Sequence, residues 1–140
     1  MQQPSRGENV SFYTTVLREQ IVKVAQASGA KVYLATISVI GEEVNNTNHA
    51  KIIMYAEAMK AVGKTLNVPV VDLITRYIAY EVQNNCMDHH GGVLTGSGVH
   101  PYTPQGQMML ANAHAEGAIA ALNQKEYGKL VAASAGEANL

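Results

Sequence analysis

Apolar positions along the chain recur first at the spacing of a helix and then as short continuous runs. From Ser11 to about Ser28 the spacing is helical, with Gly29 as a suitable stop and Ser11 as a suitable N-cap. The apolar face of this predicted helix consists of Phe12, Val16, Leu17, Ile21, Val24 and Ala25. Residues 1–10 are polar and are predicted to form an N-terminal arm.

Two short apolar runs have the character of strands that are covered on both faces of a parallel sheet. They are residues 32–37 and 68–73, and Pro69 stands near the start of the second run, where it removes least pairing. A helix is predicted between them, from about residue 48 to residue 66. This helix is expected to bury Ile52, Ile53, Ala56, Met59 and Val62.

The second half of the chain predicts two more helices with a glycine-rich loop between them. The first helix covers about 74–84, the loop 88–102, and the second helix 104–122, with Thr103 as N-cap and Pro104 at the first helical position. Residues 124–140 are predicted to be a frayed or docking tail. Helices that alternate with buried strands indicate an α/β architecture with right-handed crossovers.

Two strands are too few for the number of helices that surround them. A two-stranded parallel sheet has two open edges and covers little apolar helix surface. We therefore predict an incomplete parallel sheet flanked by helices. It would be completed by another copy of the chain, as a homo-oligomer, or by a partner chain.

Composition narrows the function classes. The chain has 140 residues, of which 47% are hydrophobic, enough for one domain with its own core. Its net charge of -1 and the lack of a basic run argue against a nucleic-acid partner. No apolar stretch approaches the roughly 20 residues of a membrane span. Cys86 is the single cysteine, which excludes an internal disulfide and favours a cytoplasmic location.

The clearest candidate for chemistry is His100, on the turn-rich segment that precedes the last helix. Pro101 and the helix start behind it give the imidazole a fixed direction, which a general base needs. An ordinary loop histidine is the alternative. Ser97, three residues earlier, is expected to be structural, because a nucleophile so close to its base on one loop has poor geometry.

The histidines of the glycine-rich loop and their neighbours allow two interpretations, a metal site or a solvated loop. The residues that suggest it are Cys86, Asp88, His89, His90, His100 and His114. The adjacent His89 and His90 cannot easily point at one ion, and no Cys-x-x-Cys or His-x-x-x-His pair is present. We predict a solvated loop with no metal and no cofactor; Asp88 as a substitute acid partner of His100 is a further alternative.

Four segments, taken in order, resemble the C-terminal part of the SGNH (GDSL-type) esterase/lipase family. They are AKVYLAT at 30–36, YAEAM at 55–59, VPVVDL at 68–73, and GVLT at 92–95 followed by GVHP at 98–101. The resemblance covers roughly residues 11–122. It implies a flavodoxin-like three-layer sandwich, with a parallel sheet of about five strands between helices. It also implies hydrolysis of acyl esters by a serine at the end of the first strand.

Only part of that family's catalytic set has a counterpart here. His100 matches the family's general base, and Ser97 stands where the family usually has an aspartate. The chain contains neither the Gly-Asp-Ser nucleophile segment nor the Gly-x-Asn-Asp motif.

Residues 11–123 are thus expected to be a partial domain of an ester hydrolase that is inactive alone or needs an N-terminal half. The alternative is a non-catalytic α/β binding or assembly protein that acts as a homo-oligomer.

Overall fold

The computed structural model describes residues 6–123. Its helices and strands follow the predicted order of helix, strand, helix, strand, helix, loop and helix. The elements are α1 (Arg6–Thr15), a π-helical segment (Val16–Val22), α2 (Lys23–Ala27), β1 (Leu34–Ala35), α3 (Thr47–Leu66), β2 (Val70–Val71), α4 (Leu73–Gln83) and α5 (Pro104–Leu122). The predicted tail, 124–140, lies outside the described residues.

The two strands pair in parallel, as predicted. Leu34 is opposite Val70, and Ala35 is opposite Val71. The pairing extends slightly beyond these residues, because the Thr36 N–H donates to the Val71 carbonyl. Both strands are shorter than the apolar runs that predict them. Within residues 6–123 the sheet has two strands, so each strand has one edge without a paired neighbour.

Helices lie on both faces of this small sheet. On one face Leu34 packs in a cluster with Val62 of α3 and with Leu17 and Val22 of the first helical stretch. On the other face the Tyr33 hydroxyl lies 3.0 Å from Nδ1 of His114 on α5. Successive residues of a strand point to opposite faces, so β1 is covered from both sides, as its continuous apolar run predicts.

The predicted apolar face of the first helix is partly wrong. Phe12, Ile21 and Val24 are exposed, whereas Leu17 and Val22 are buried. These two buried residues are five positions apart because Val16–Val22 is π-helical, with i→i+5 hydrogen bonds that widen the turn. The helix also begins at Arg6 rather than at Ser11, inside the predicted arm. A uniform 3.6-residue period could not anticipate this change of face.

The later helices agree more closely with the predictions. In α3, Ile52, Ala56 and Val62 are buried, but Ile53 is 42% exposed. In α5 the predicted N-cap is confirmed, since Thr103 Oγ1 accepts a hydrogen bond from the Gly106 N–H at 3.1 Å. None of the helices between Arg6 and Leu122 has the length and apolarity that a membrane-crossing segment requires.

Candidate functional site

The segment between α4 and α5 carries the residues that the sequence singles out, and it is anchored at its C-terminal end by Thr103. The Thr103 hydroxyl donates to the Val93 carbonyl at 2.8 Å, while it caps α5. Gly106 lies so close to the Leu94 carbonyl oxygen that a Cβ atom there would overlap it. Its own carbonyl accepts a hydrogen bond from Tyr77 of α4. The start of α5 and the loop are therefore packed as one unit.

The middle of the loop is held by Glu42, a residue that no motif in the sequence marks. Its side chain is completely buried. Oε1 accepts hydrogen bonds from the Leu94 N–H at 3.0 Å and from both the N–H and the hydroxyl of Thr95 at 2.5 Å. A carboxylate that accepts several short hydrogen bonds is a strong anchor for an irregular segment.

Both backbone polar groups of Gly98, its N–H and its carbonyl, form hydrogen bonds. Its N–H donates to Thr95 Oγ1 at 2.8 Å, and its carbonyl accepts from the Gly41 N–H at 2.6 Å. Its φ of 92° is a conformation that favours glycine, and a Cβ atom would lie 2.8 Å from Nε2 of His90. The loop thus has a defined shape two residues before His100.

His100 and Ser97 both project from this held segment into solvent. The His100 ring stacks on Tyr102, with a centroid distance of 5.2 Å and an interplanar angle of 15°. The His100 carbonyl accepts hydrogen bonds from the N–H groups of Gly96 and Tyr102. No hydrogen bond joins Ser97 to His100 in the described part of the chain. Whether His100 is a base and Ser97 a remnant of an aspartate position stays a prediction.

A second buried carboxyl group, Glu81 of α4, lies beside Glu42. No N–H group or alcohol hydroxyl in residues 6–123 hydrogen-bonds either of its oxygens. Burial, followed by the hydrogen bond and the negative charge of Glu42, raises the pKa of Glu81 to about 8. Glu81 is therefore protonated at neutral pH and can donate its hydrogen to Glu42.

Glu42 has the opposite character. Burial raises its pKa, but hydrogen bonds from the Thr95 hydroxyl, from Glu81 and from the backbone of Thr95 and Leu94 outweigh that effect. The net pKa of Glu42 is below its usual value. The opposite pKa shifts are those expected of two neighbouring acids of which one is protonated and the other is ionised.

The sequence contains a weak signal that Glu81 is buried, and less for Glu42. Glu81 follows Ile74 and Tyr77 at helical spacing, and all three are buried, so it occupies the apolar stripe of α4. Glu42 follows the apolar positions Val39 and Ile40 in a segment that looks like a polar loop. Periodicity could mark Glu81 as unusual, but nothing local indicates that Glu42 contacts residues more than fifty positions later.

The residues weighed as metal ligands have other positions. His90 Nδ1 is 2.8 Å from the Glu43 carboxylate, and His114 pairs with Tyr33. His49, a histidine outside that candidate set, is buried in α3, and its Nε2 lies 2.7 Å from the Gly41 carbonyl oxygen. Within residues 6–123, no group of three or more His, Cys, Asp and Glu side chains is arranged to hold a metal ion.

An apolar pocket of about 300 Å³ lies apart from the loop, between the end of β1 and α3. Tyr13 and Tyr55 meet edge to face across it, with centroids 5.0 Å apart. Ile37 and Ile40 belong to its lining and are 58% and 41% exposed. This part of the molecule is open, in contrast to the satisfied polar contacts around Glu42.

Comparison with known proteins gives one informative likeness. The chain superposes on the crystal structure of an acetyl xylan esterase, AlAXEase, with a TM-score of 0.67 and 24% sequence identity over 82% of its length. This likeness shows that our chain has an α/β esterase-like fold. The chain spans 56% of that esterase's own chain. No protein-family model matches the sequence, and no curated protein matches it significantly.

Proposed function

We propose that this chain is the C-terminal part of an SGNH-type acyl-ester hydrolase in which His100 is the general base. The serine nucleophile and the oxyanion-binding groups come from a segment that these 140 residues do not contain. In this proposal the complete domain is a flavodoxin-like three-layer sandwich, of which β1 and β2 are two strands. The 140-residue chain alone does not hydrolyse esters.

The observation that carries the proposal is the held segment Thr95–His100 within an esterase-like fold. An exposed imidazole on a backbone fixed by Glu42 and Gly41 has a reproducible position, which proton transfer to a substrate requires. The likeness of the chain's fold to an acetyl xylan esterase supports ester hydrolysis as the reaction class that we propose. An O-acetyl or other short acyl ester is the substrate class that we propose on this basis.

In the proposed reaction His100 takes the proton of the serine hydroxyl while the serine oxygen attacks the ester carbonyl carbon. The C–O bond to the alcohol then breaks, and the imidazolium returns its proton to the departing alkoxide. Water hydrolyses the acyl-serine, again with His100 as base. Ser97 occupies the position of the usual aspartate and carries no charge, so its hydroxyl would stabilise the imidazolium less than a carboxylate does.

The first test is hydrolysis of 4-nitrophenyl acetate. We expect the 140-residue chain to show the same rate as its His100→Ala variant. We then expect activity in a fusion that places ahead of this chain the part of the acetyl xylan esterase that it does not cover. In that fusion His100→Ala lowers kcat by about 10³-fold, the scale of a lost general base.

His89→Ala is the matched control for the fusion, because His89 is an exposed histidine of the same loop. It should leave the rate within about two-fold. A fusion that is folded by circular dichroism and yet inactive would contradict the proposal, as would hydrolysis by the isolated chain that depends on His100.

A second candidate function, assembly through the open sheet, is favoured by one specific feature. β1 has an unpaired edge among the described residues, and Ile37 and Ile40 are exposed just beyond it. We propose that a second copy or a partner chain covers this region, which is compatible with either a catalytic or a purely structural role. The unpaired thiol of Cys86 accords with a cytoplasmic location.

A further inference from the structure

The contacts between Glu42 and the loop form a relay that ends next to His100. Glu42 orders Thr95 through two hydrogen bonds, and the Thr95 hydroxyl, which donates to Glu42, accepts from the Gly98 N–H. A hydroxyl has a single hydrogen to donate, so its direction toward Glu42 leaves its lone pairs aimed at Gly98. The charge on Glu42 therefore sets the orientation of the Thr95 hydroxyl.

Glu42 adds two further contacts to this relay. Its Oε2 accepts from the Val93 N–H at 3.3 Å, and its own backbone N–H donates to the His90 carbonyl at 2.8 Å. The neighbouring Gly41 N–H donates to the Gly98 carbonyl. Residues 41–42 thus hold the loop at five of its residues, which are His90, Val93, Leu94, Thr95 and Gly98.

The protonation of Glu81 determines whether the ionised Glu42 can hold the loop. Glu81 is fully buried and faces Glu42, and no lysine or arginine forms an ion pair with either group within residues 6–123. An ionised Glu81 would place two negative charges together in the interior, which is costly. A neutral Glu81 instead adds one more donor to the Glu42 carboxylate.

The other titratable groups around the pair do not replace Glu81 in this role. Tyr77 is packed on the same side and donates its hydroxyl to the Gly106 carbonyl. Its pKa is raised by burial and then by the charge of Glu42. His49 contacts the carbonyl of Gly41, and His90 contacts Glu43.

We propose that Glu42 and Glu81 form a positioning device for the segment Thr95–His100. Neutral Glu81 stabilises the Glu42 carboxylate, and Glu42 orders Thr95 and Gly98 without contacting substrate. The positioning is a property of the chain itself. That the positioned segment carries a general base rests on the proposed function.

The test is amide hydrogen exchange measured by NMR on the 140-residue chain, expressed as protection factors so that the faster chemistry at high pH is corrected. The reporting amides are those of Leu94, Thr95 and Gly98. In the natural chain we expect their protection to fall at least ten-fold between pH 7 and pH 9. Amides in the middle of α3 and α5 exchange through global unfolding, so they record the accompanying change in overall stability.

Two variants separate the roles of the carboxyl groups. Glu81→Gln keeps a neutral donor beside Glu42, so the loop amides should remain protected at pH 9. Glu42→Gln removes the charged acceptor, so Thr95 and Gly98 should lose at least ten-fold in protection at pH 7. Glu57→Gln, the same change at an exposed position of α3, should leave them within two-fold.

Several results would overturn the proposal. One is an unchanged loop in a folded Glu42→Gln variant, and another is a loss of protection at high pH that persists in Glu81→Gln. If Glu42→Gln does not fold, the Glu81→Gln comparison still decides. An inactive esterase fusion would refute the role of His100 and leave these exchange results standing.

Discussion

The surroundings of Glu42 and the free edge of β1 are built in opposite ways. Around Glu42, backbone N–H groups and one hydroxyl converge on a buried carboxylate, and a second carboxyl completes the network. At β1, one edge has no paired strand among residues 6–123, and isoleucine side chains are exposed nearby. The Glu42 carboxylate is hydrogen-bonded by this chain's own residues, whereas the edge of β1 has no paired strand among residues 6–123.

The loop and the sheet edge therefore differ in whether they need a partner. The position of the segment that carries His100 is determined inside the described chain, so it can be studied without any partner. The sheet edge is where a further strand, a second copy or a partner would add hydrogen bonds and bury apolar surface.

The largest effect is expected from Glu42→Ala. The substitution leaves the N–H groups of Leu94 and Thr95 and the Glu81 carboxyl buried without their acceptor. The free energy of unfolding should fall by about 3 kcal/mol or more, measured by urea denaturation. The matched substitution Glu57→Ala, on the surface, should change it by less than about 0.5 kcal/mol. Equal effects of the two would mean that Glu42 does not anchor the loop.

The pH dependence of stability is the next largest effect. The pKa of Glu81 is about 8 in the folded chain, and its usual value is 4.5. Between these values the folded chain binds a proton that the unfolded chain lacks. The contribution of Glu81 to stability is therefore fully present below about pH 4.5 and is lost as the pH rises through about 8. The slope is up to about 1.4 kcal/mol per pH unit.

Urea denaturation between pH 5 and pH 8 checks this slope, and Glu81→Gln should remove it. The lowered pKa of Glu42 acts below its usual value, outside this window, so it does not oppose the effect. A slope of the same size in Glu81→Gln would assign the pH dependence to another group and contradict the interpretation that Glu81 is protonated.

The smallest effect is expected for self-association through the unpaired edge of β1. If a second copy covers the region at Ile37, light scattering at two concentrations should show association of the natural chain. Ile37→Lys should raise the dissociation constant of this self-association about ten-fold, which is equivalent to about 1.4 kcal/mol. Val82→Lys, at an exposed position of α4, is the control. A monomer at both concentrations would leave a different partner chain as the occupant of the edge.

Periodicity and capping signals predicted much of the fold, because these effects are local. The Thr103 cap and the Pro104 start of α5 depend on neighbouring residues, and both are found. The helix from Arg6 was less predictable, since its π-helical segment changes which side chains face the sheet. The loop with Ser97 and His100 was located correctly, but their proposed roles depend on groups that the described chain does not contain.

The sequence by itself determined the order of helices and strands, their parallel pairing and the place of His100 before the last helix. These follow from spacing and from turn residues, which act over a few positions. Only the tertiary structure decided that Glu42 reaches Thr95 and that the buried Glu81 has a raised pKa next to Glu42. The contacts of Glu42 with Leu94 and Thr95 join residues that are more than fifty positions apart in the chain, and they depend on burial and distance. A local sequence pattern contains neither kind of information.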